Sequence, residues 1–543
     1  MAMPLSAQCI LSAALGVLSH LCIFIRGEHH LRSPFLFRLY LTLSALVFLG
    51  QTFIHPSDMS SALTTSFFLI ISYATALFTS MTVYRLFFHS LRHFPGPPLA
   101  AVSKLYHVSQ VLDAKQYLFL DKLREQYGDY VRTGPNELTI YNPAAVPLIH
   151  GSESPCTKAD WYDNLKPLHA VNTTRSKSLH EKRRRIWDMG FSQKSLDMYE
   201  PRVRYHASQL ASQFAASAGK AVNATEWFSY FAFDVMSELS FGKPLGMLKS
   251  GKSHFVRDLL IKGIMVLGPL TPVPWLFHLF GSLPRMTADW LAYRAWVLVQ
   301  LKERMRMEKA ESSNVMTWLI KAGEEDGEKW DPSWLEGDAV SMVVAGSEPE
   351  ASTLTFLFYH LAQTPSAQEN LRAELESASF PTDARTLQYL PYLNGCVYEA
   401  LRLHPPLPSG CLRITPPEGL NIDGTVIPGG VTVLTPAYSL GRLESCFERA
   451  QEFVPERWYE RPEMLRDKNA WIPFNVGRYG CVGRNMGLME LRIVAALLVA
   501  KFDVDFAPGD DGTELVEDCR DAFASAPGKL GLVFRARRQD RPQ

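Results

Sequence analysis

The chain has no excess charge of either sign: 55 Lys and Arg balance 55 Asp and Glu over 543 residues. A nucleic-acid binder carries a net basic field, so that class is excluded. Paired cysteines are missing too. The eight cysteines are Cys9, Cys22, Cys156, Cys396, Cys411, Cys446, Cys481 and Cys519, with no C-x-x-C pair and no regular spacing. Neither a zinc site nor a disulfide framework is indicated. This usage suits a protein whose bulk sits in a reducing compartment. Repeats and low-complexity tracts are also absent. At this length one large helical domain with an appendage fits, and one small domain does not.

Charge is scarcest in the first ninety residues. Residues 5–25 and 62–84 carry none, and residues 34–54 carry only Arg38, which can snorkel. Each stretch reaches the roughly 20 residues that cross a ~30 Å hydrocarbon core as a helix. No Lys or Arg precedes Arg26, so the basic start of a signal peptide is missing. The first connecting loop holds Arg26 and Arg32, whereas Gln51–Ser61 holds no Lys or Arg. Positive-inside counting places the first loop and everything after Arg85 in the cytoplasm. Residues 1–90 therefore read as a membrane anchor of three transmembrane helices. The alternative is one span plus a hairpin lying in the membrane.

Residues 91–98 contain Phe94-Pro-Gly-Pro-Pro98, which cannot be helical and reads as a stiff hinge. Residues 99–543 are expected to form the main body of the protein. Helical periodicity predicts Gln116–Tyr127, Leu179–Asp188, Asp331–Ala362, Ala367–Ser377, Tyr392–Leu403 and Met486–Phe502. Strand-like runs are Tyr130–Val131, Leu138–Tyr141, Gly424–Thr435 and Leu530–Phe534. The expected class is mainly α with small β-sheets.

Three segments carry the chemistry. Phe474-Asn-Val-Gly477-Arg-Tyr479-Gly-Cys481-Val-Gly483 sets one cysteine among glycines before an apolar helix. Amide N–H groups and a helix N-terminus there stabilise a thiolate, which suits haem iron; a buried structural cysteine in a glycine-rich turn is the plainer alternative. Tyr398-Glu399-Ala-Leu-Arg402 places Glu399 and Arg402 on one helix face. Phe453-Val-Pro455-Glu-Arg457-Trp458 supplies a second arginine. Neither of the last two is specific alone, but this order and spacing before the cysteine is not expected by chance.

With these motifs the chain, from about Pro95 to Arg538, resembles the cytochrome P450 superfamily of haem-thiolate monooxygenases, and in particular fungal membrane-bound members of secondary metabolism. The resemblance implies the cytochrome P450 fold behind N-terminal transmembrane helices. It implies haem b (iron protoporphyrin IX), with Cys481 as axial iron ligand and Phe474, Gly477, Tyr479 and Gly483 around it. Glu399, Arg402 and Arg457 would lock the core behind the haem. His180-Glu-Lys-Arg-Arg184-Arg resembles the family's W-x-x-x-R helix, so His180 and Arg184 would serve a propionate, as would Arg413. Arg184 is expected inward and its basic neighbours outward. Tyr479 stands where the family often has Arg or His.

The stretch Val344-Ala345-Gly346-Ser347-Glu348-Pro349-Glu350 resembles the oxygen-activating motif A/G-G-x-D/E-T-T. Ala345 and Gly346 would leave room for dioxygen, and Glu348 matches the acid of the proton-delivering pair. Pro349 replaces the usual Thr and deprives the Ala345 carbonyl of its helical donor. The plain reading is that Pro349 only kinks a long helix; otherwise either water with Ser347, Glu350 or Ser352 replaces the hydroxyl, or the chemistry depends less on dioxygen activation. Glu348 and Glu350 point about 200° apart at ~100° per residue, so Glu348 is expected to be the inward one. Substrate contacts are expected from Trp161–Thr174, Val256–Trp290, Ser341–Ala345, Leu407–Leu412 and Asp521–Ser525. The resemblance implies insertion of one oxygen atom into an apolar small molecule at the endoplasmic reticulum membrane. NADPH-cytochrome P450 reductase would be the electron donor, with cytochrome b5 as a second partner, membrane lipid as the support and no nucleic acid involved. Pro349 motivates the alternative of a haem-thiolate isomerase or dehydratase that does not need O2. A haem-dependent sensor or carrier is the rival outside enzymes.

Overall fold

A computed structural model describes residues 3–537 apart from 55, 57, 266, 271, 308–313, 327–330 and 523. Three N-terminal helices, Leu5–Phe24, His30–Ile54 and Met59–Phe88, are long and apolar enough to cross a membrane. The first and third lie side by side and run the same way. Ser12 Oγ donates to Leu69 O at 2.7 Å, Tyr73 Oη meets Ser19 Oγ at 3.0 Å, and His20 Nδ1 meets Ser80 Oγ at 2.8 Å. Small and hydroxyl residues allow this approach in an apolar setting. A Cβ on Gly16 would lie 2.4 Å from Tyr73 O, so only glycine fits there. Large side chains such as Leu11, Leu15, Leu46 and Phe67 face outward.

The proline-rich connector lies against the first strand of the main body. Arg132 N donates to Pro95 O at 2.7 Å, and a Cβ on Gly96 would meet Arg132 O at 2.4 Å. Leu91 is buried with Leu138 and Ile140.

Helices dominate the remainder, and the elements that carry the site are few. The basic helix Lys177–Gly190 starts at Ser176, whose side chain accepts from Leu179 N. The long helix Pro332–Gln363 starts at Asp331, whose side chain accepts from Ser333 N, with proline at its first position. It runs through Pro349 without ending. Helix Ala224–Phe241 is buried on nearly every side and packs along it. The Glu–Arg helix Pro391–Leu403 and the terminal helix Arg484–Lys501 complete the frame. One apolar core joins these elements.

Five strands form one sheet in the order Tyr130–Gly134, Glu137–Ile140, Thr432–Leu434, Arg413–Ile414, Thr157–Lys158. Its register pairs Lys158 with Arg413 and Arg413 with Val433. Gly531–Ala536 is the middle strand of a three-stranded sheet. The expected strand Gly424–Thr435 is two strands in two sheets, Thr425–Ile427 and Thr432–Leu434. Pro428-Gly429-Gly430 between them breaks the ladder.

Candidate active site

Cys481 sits where a loop becomes a helix. Its N–H donates to Phe474 O at 2.8 Å, which closes the turn, and the terminal helix begins three residues later. The sulfur is enclosed by protein yet accessible from an internal cavity of about 500 Å³. Burial pushes the Cys481 thiol above its ordinary value, while the N–H groups of Gly483 and Arg484 and the charges of Arg184 and Arg484 oppose that rise. Phe474, Tyr479 and Gly483 border the cavity with it. Gly477 does not. Its φ is +66°, and a Cβ there would lie 2.3 Å from His150 O, so this glycine admits the neighbouring chain rather than a ligand.

Cations gather at one end of the cavity. Lys158 and Arg413 are cross-strand neighbours and both are almost fully buried. Among the described residues neither has a carboxylate within ion-pair distance. Lys158 Nζ donates to the carbonyls of Val171 and Asn172, at 3.2 and 2.7 Å, and lies 4.6 Å from the Tyr479 ring centre. Arg413 donates to Tyr162 Oη at 3.0 Å, and its guanidinium lies 4.8 Å from the Tyr479 ring centre. Burial and then Arg413 drive the Lys158 ammonium well below its ordinary value. Like charges directly opposite in a sheet destabilise it, and a buried cation without an anion is costly. Tyr479 Oη, His180 Nδ1 and Arg413 Nε are buried with no hydrogen-bond partner among the described residues. Such a donor set would suit the two propionates of a haem. Sequence reasoning missed Lys158, because no motif surrounds it; its partnership with Arg413 exists only through the sheet register.

His180 stacks edge-on to Tyr479 at 4.7 Å, and burial, then Lys158 and Arg184, lower it to about 3, so it is neutral. Arg184 Nη1 donates to Gly480 O at 2.6 Å, beside the cysteine, and its Nε reaches Asp188 at 2.7 Å. The expectation that its neighbours face outward is corrected for Arg183. Arg183 is buried and pairs with Asp338 of the long helix at 2.5 Å. Asp338 also accepts from Trp187 Nε1 and Val171 N, and so ties the basic helix and the loop before it to the long helix.

Over the cysteine lies the middle of the long helix. Ala345, Gly346, Glu348, Pro349 and Glu350 all border the cavity. A Cβ on Gly346 would meet the flexible end of the Met236 side chain, which would have to move aside. Ser347 is buried and donates to Val343 O at 2.6 Å, turned away from the cavity. Burial raises the Glu348 carboxyl above its ordinary value, partly offset by Arg257. Glu350 leaves on another side. Its Oε2 would lie 3.5 Å from a Cβ on Gly487, and it faces Glu490 on the terminal helix. Burial, then Glu490, push Glu350 well up, and burial pushes Glu490 to about 8. Among the described residues neither Glu350 Oε1 nor Glu490 Oε1 has a hydrogen-bond partner. The cavity is wide enough to touch both carboxyls despite their angular separation. Glu490 had no sequence signal, because its neighbour comes from a helix more than a hundred residues away.

Behind the cysteine loop, Glu399, Arg402 and Arg457 meet with fully buried side chains. Arg402 grips Glu399 through Nε and Nη2 at 2.8 and 2.7 Å, and Arg457 Nε reaches it at 2.9 Å. All five segments expected to contact substrate reach the cavity, through Trp161, Ile264, Phe277, Val344, Leu407 and Ala524 among others.

The Cytochrome P450 family model matches residues 94–533. Cytochrome P450 monooxygenase FCK2 of Fusarium pseudograminearum is 37% identical over 96% of this chain and 96% of its own length. Tryprostatin B 6-hydroxylase of Neosartorya fischeri is 33% identical, covering 96% of this chain and 97% of that one. The crystal structure of the cytochrome P450DA heme domain shares the fold at 19% identity, with a TM-score of 0.67, 82% of this chain and 97% of that chain covered. By the extent of these matches, and in keeping with a cysteine-floored cavity crowned by unpaired cations, the chain belongs to the cytochrome P450 family.

Proposed function

We propose that this protein is a membrane-bound haem-thiolate monooxygenase acting on an apolar intermediate of secondary metabolism. The observation that carries it is the buried Lys158–Arg413 pair, without carboxylate partners among the described residues, in the cavity that exposes Cys481. Haem b is the cofactor that this site would hold. When bound, haem activates O2 with electrons passed on from NADPH by the flavin reductase, with cytochrome b5 as a second donor. Cys481 would ligate the iron as thiolate, with the N–H groups of Gly483 and Arg484 steadying the sulfur's charge. Lys158, Arg413, Arg184 and Tyr479 would hold the propionates, and neutral His180 would hydrogen-bond there. Glu399, Arg402 and Arg457 would keep the cysteine loop rigid.

Glu348 is the residue assigned to hold and release a proton toward the cavity, since burial favours its protonated form. Pro349 offers no hydroxyl and no N–H, so water on the Ala345 carbonyl would carry that proton onward. The same proline is the feature favouring the second reading, an isomerase or dehydratase. The relatives are named as monooxygenases and a hydroxylase, which supports oxygen insertion. An apolar substrate is supported by the aromatic and aliphatic lining, and tryprostatin B is the substrate named for one relative.

A multi-pass anchor is supported by the parallel run of the first and third helices, which requires the second to return. The cytoplasmic side of the catalytic domain follows from Arg26 and Arg32 in the first loop, and the endoplasmic reticulum from the family resemblance. The first connecting loop touches the catalytic body, as a loop on the same side would. The decisive experiment is the carbon monoxide spectrum of the reduced protein. Thiolate ligation gives a strongly red-shifted Soret band; Cys481→Ala is expected to abolish it, and a variant retaining the band would refute the assignment.

A further inference from the structure

The loop between the first two apolar helices, with the first turn of the second, makes specific contacts with the catalytic domain. Both carboxylate oxygens of Glu28 receive Arg175, at 2.6 Å each. The same Arg175 Nη1 lies 2.8 Å from Asp163 Oδ2, and His30 Nε2 lies 3.0 Å from that oxygen. His30 and Asp163 are buried although they belong to segments 133 residues apart. Ser33 Oγ donates to Trp275 O at 2.7 Å, and the His30 ring lies 5.7 Å from the His278 ring.

The two segments gripped are walls of the cavity. Asp160–Leu165 presents Trp161, Tyr162 and Leu165 to it, and helix Pro274–Gly281 presents Phe277 and Phe280. Arg175 Nε also donates to Lys158 O at 3.1 Å, linking the loop to the cation strand. Two carboxylates and a histidine, Glu28, Asp163 and His30, crowd here, but Arg175 already supplies the cation, so the cluster is a clamp rather than a metal site. Bidentate guanidinium–carboxylate geometry fixes orientation as well as distance.

We propose that this anchor loop is part of the cavity's entrance, and that Glu28 and His30 are positioning residues which hold its two bordering segments in place. Substrate access is thereby set by the anchor as well as by the catalytic domain. The inference rests on the cavity being the substrate site.

The test uses the full chain in lipid nanodiscs. Hydrogen–deuterium exchange is followed in Glu28→Gln, His30→Ala and the control Arg32→Gln. Amides in 160–175 and 274–281 are expected to exchange about tenfold faster in the first two variants, since a charged hydrogen bond is lost. Amides in 391–403 and the control are expected to stay unchanged. Association of the apolar azole 4-phenylimidazole, read by its haem absorbance shift, is expected to quicken about tenfold in the same variants, with Glu28→Asp restoring most of the original rate. Unchanged exchange in Glu28→Gln overturns the proposal. Faster exchange with unchanged azole association also overturns it, because the contact would then be attachment only. Protein with no azole or carbon monoxide band refutes the haem reading instead, while exchange still reports whether the loop holds the walls.

Discussion

Replacing Arg402 by alanine is the severest single test of the core behind the cysteine loop. Arg402 makes five bonds. Two go to Glu399, and three go to the carbonyls of Gly441, Ala450 and Glu452, at 2.6, 2.6 and 2.9 Å. Alanine leaves the Glu399 carboxylate with Arg457, Val454 N and Trp458 Nε1, in a site with no access to water. Breaking a buried pair costs about 3–5 kcal/mol, and a stranded acceptor about 1–3 kcal/mol more. Net stability of a folded domain is only about 5–15 kcal/mol, so the loss approaches the whole of it. Arg457→Ala is expected to cost less, because Glu399 keeps its bidentate partner. Arg402→Lys restores charge but not the fork, and is expected to remain close to alanine. Expression yield, the carbon monoxide spectrum and urea unfolding of the membrane fraction measure the effect. Folded, haem-loaded Arg402→Ala with an unchanged unfolding midpoint would refute the reasoning.

Other outcomes follow from the cavity and the anchor. Glu348→Gln is expected to slow product formation about tenfold and raise peroxide release per NADPH, while Pro349→Thr is tolerated; unchanged coupling would mean the proton comes from elsewhere. Glu490 has a carboxyl raised from 4.5 to about 8, so it binds a proton in the folded state that the unfolded chain has released. Its contribution to stability is therefore full below pH ~4.5 and is lost as pH rises toward about 8. Glu490→Gln is expected to flatten the fall in melting temperature between those limits, and a variant whose pH profile matches the parent would sink the assignment. A glycosylation acceptor placed between Gln51 and Ser61 is expected to be modified in microsomes and one beside Gly27 is not; the reverse pattern would invert the topology.

Much of this was legible one-dimensionally because local rules decided it. Helices such as Gln116–Tyr127 and Pro391–Leu403 follow from a 3.6-residue apolar period closed by proline or glycine. The apolar N-terminal segments follow from length and missing charge. Cys481, Glu399, Arg402 and Arg457 announce themselves because their chemistry forces neighbours of particular types at short spacing. What the sequence could not determine were the partners brought from afar. Lys158 meets Arg413 through strand register, Arg183 turns inward because Asp338 waits on another helix, and Glu350 finds Glu490 only when two helices pack. Glu28, in the loop, and His30, at the start of the second helix, look unremarkable in sequence until the anchor folds against Asp163 and Arg175. Local periodicity and spacing reach only a few residues, whereas the cost of burying a charge is settled by whatever the whole chain places beside it.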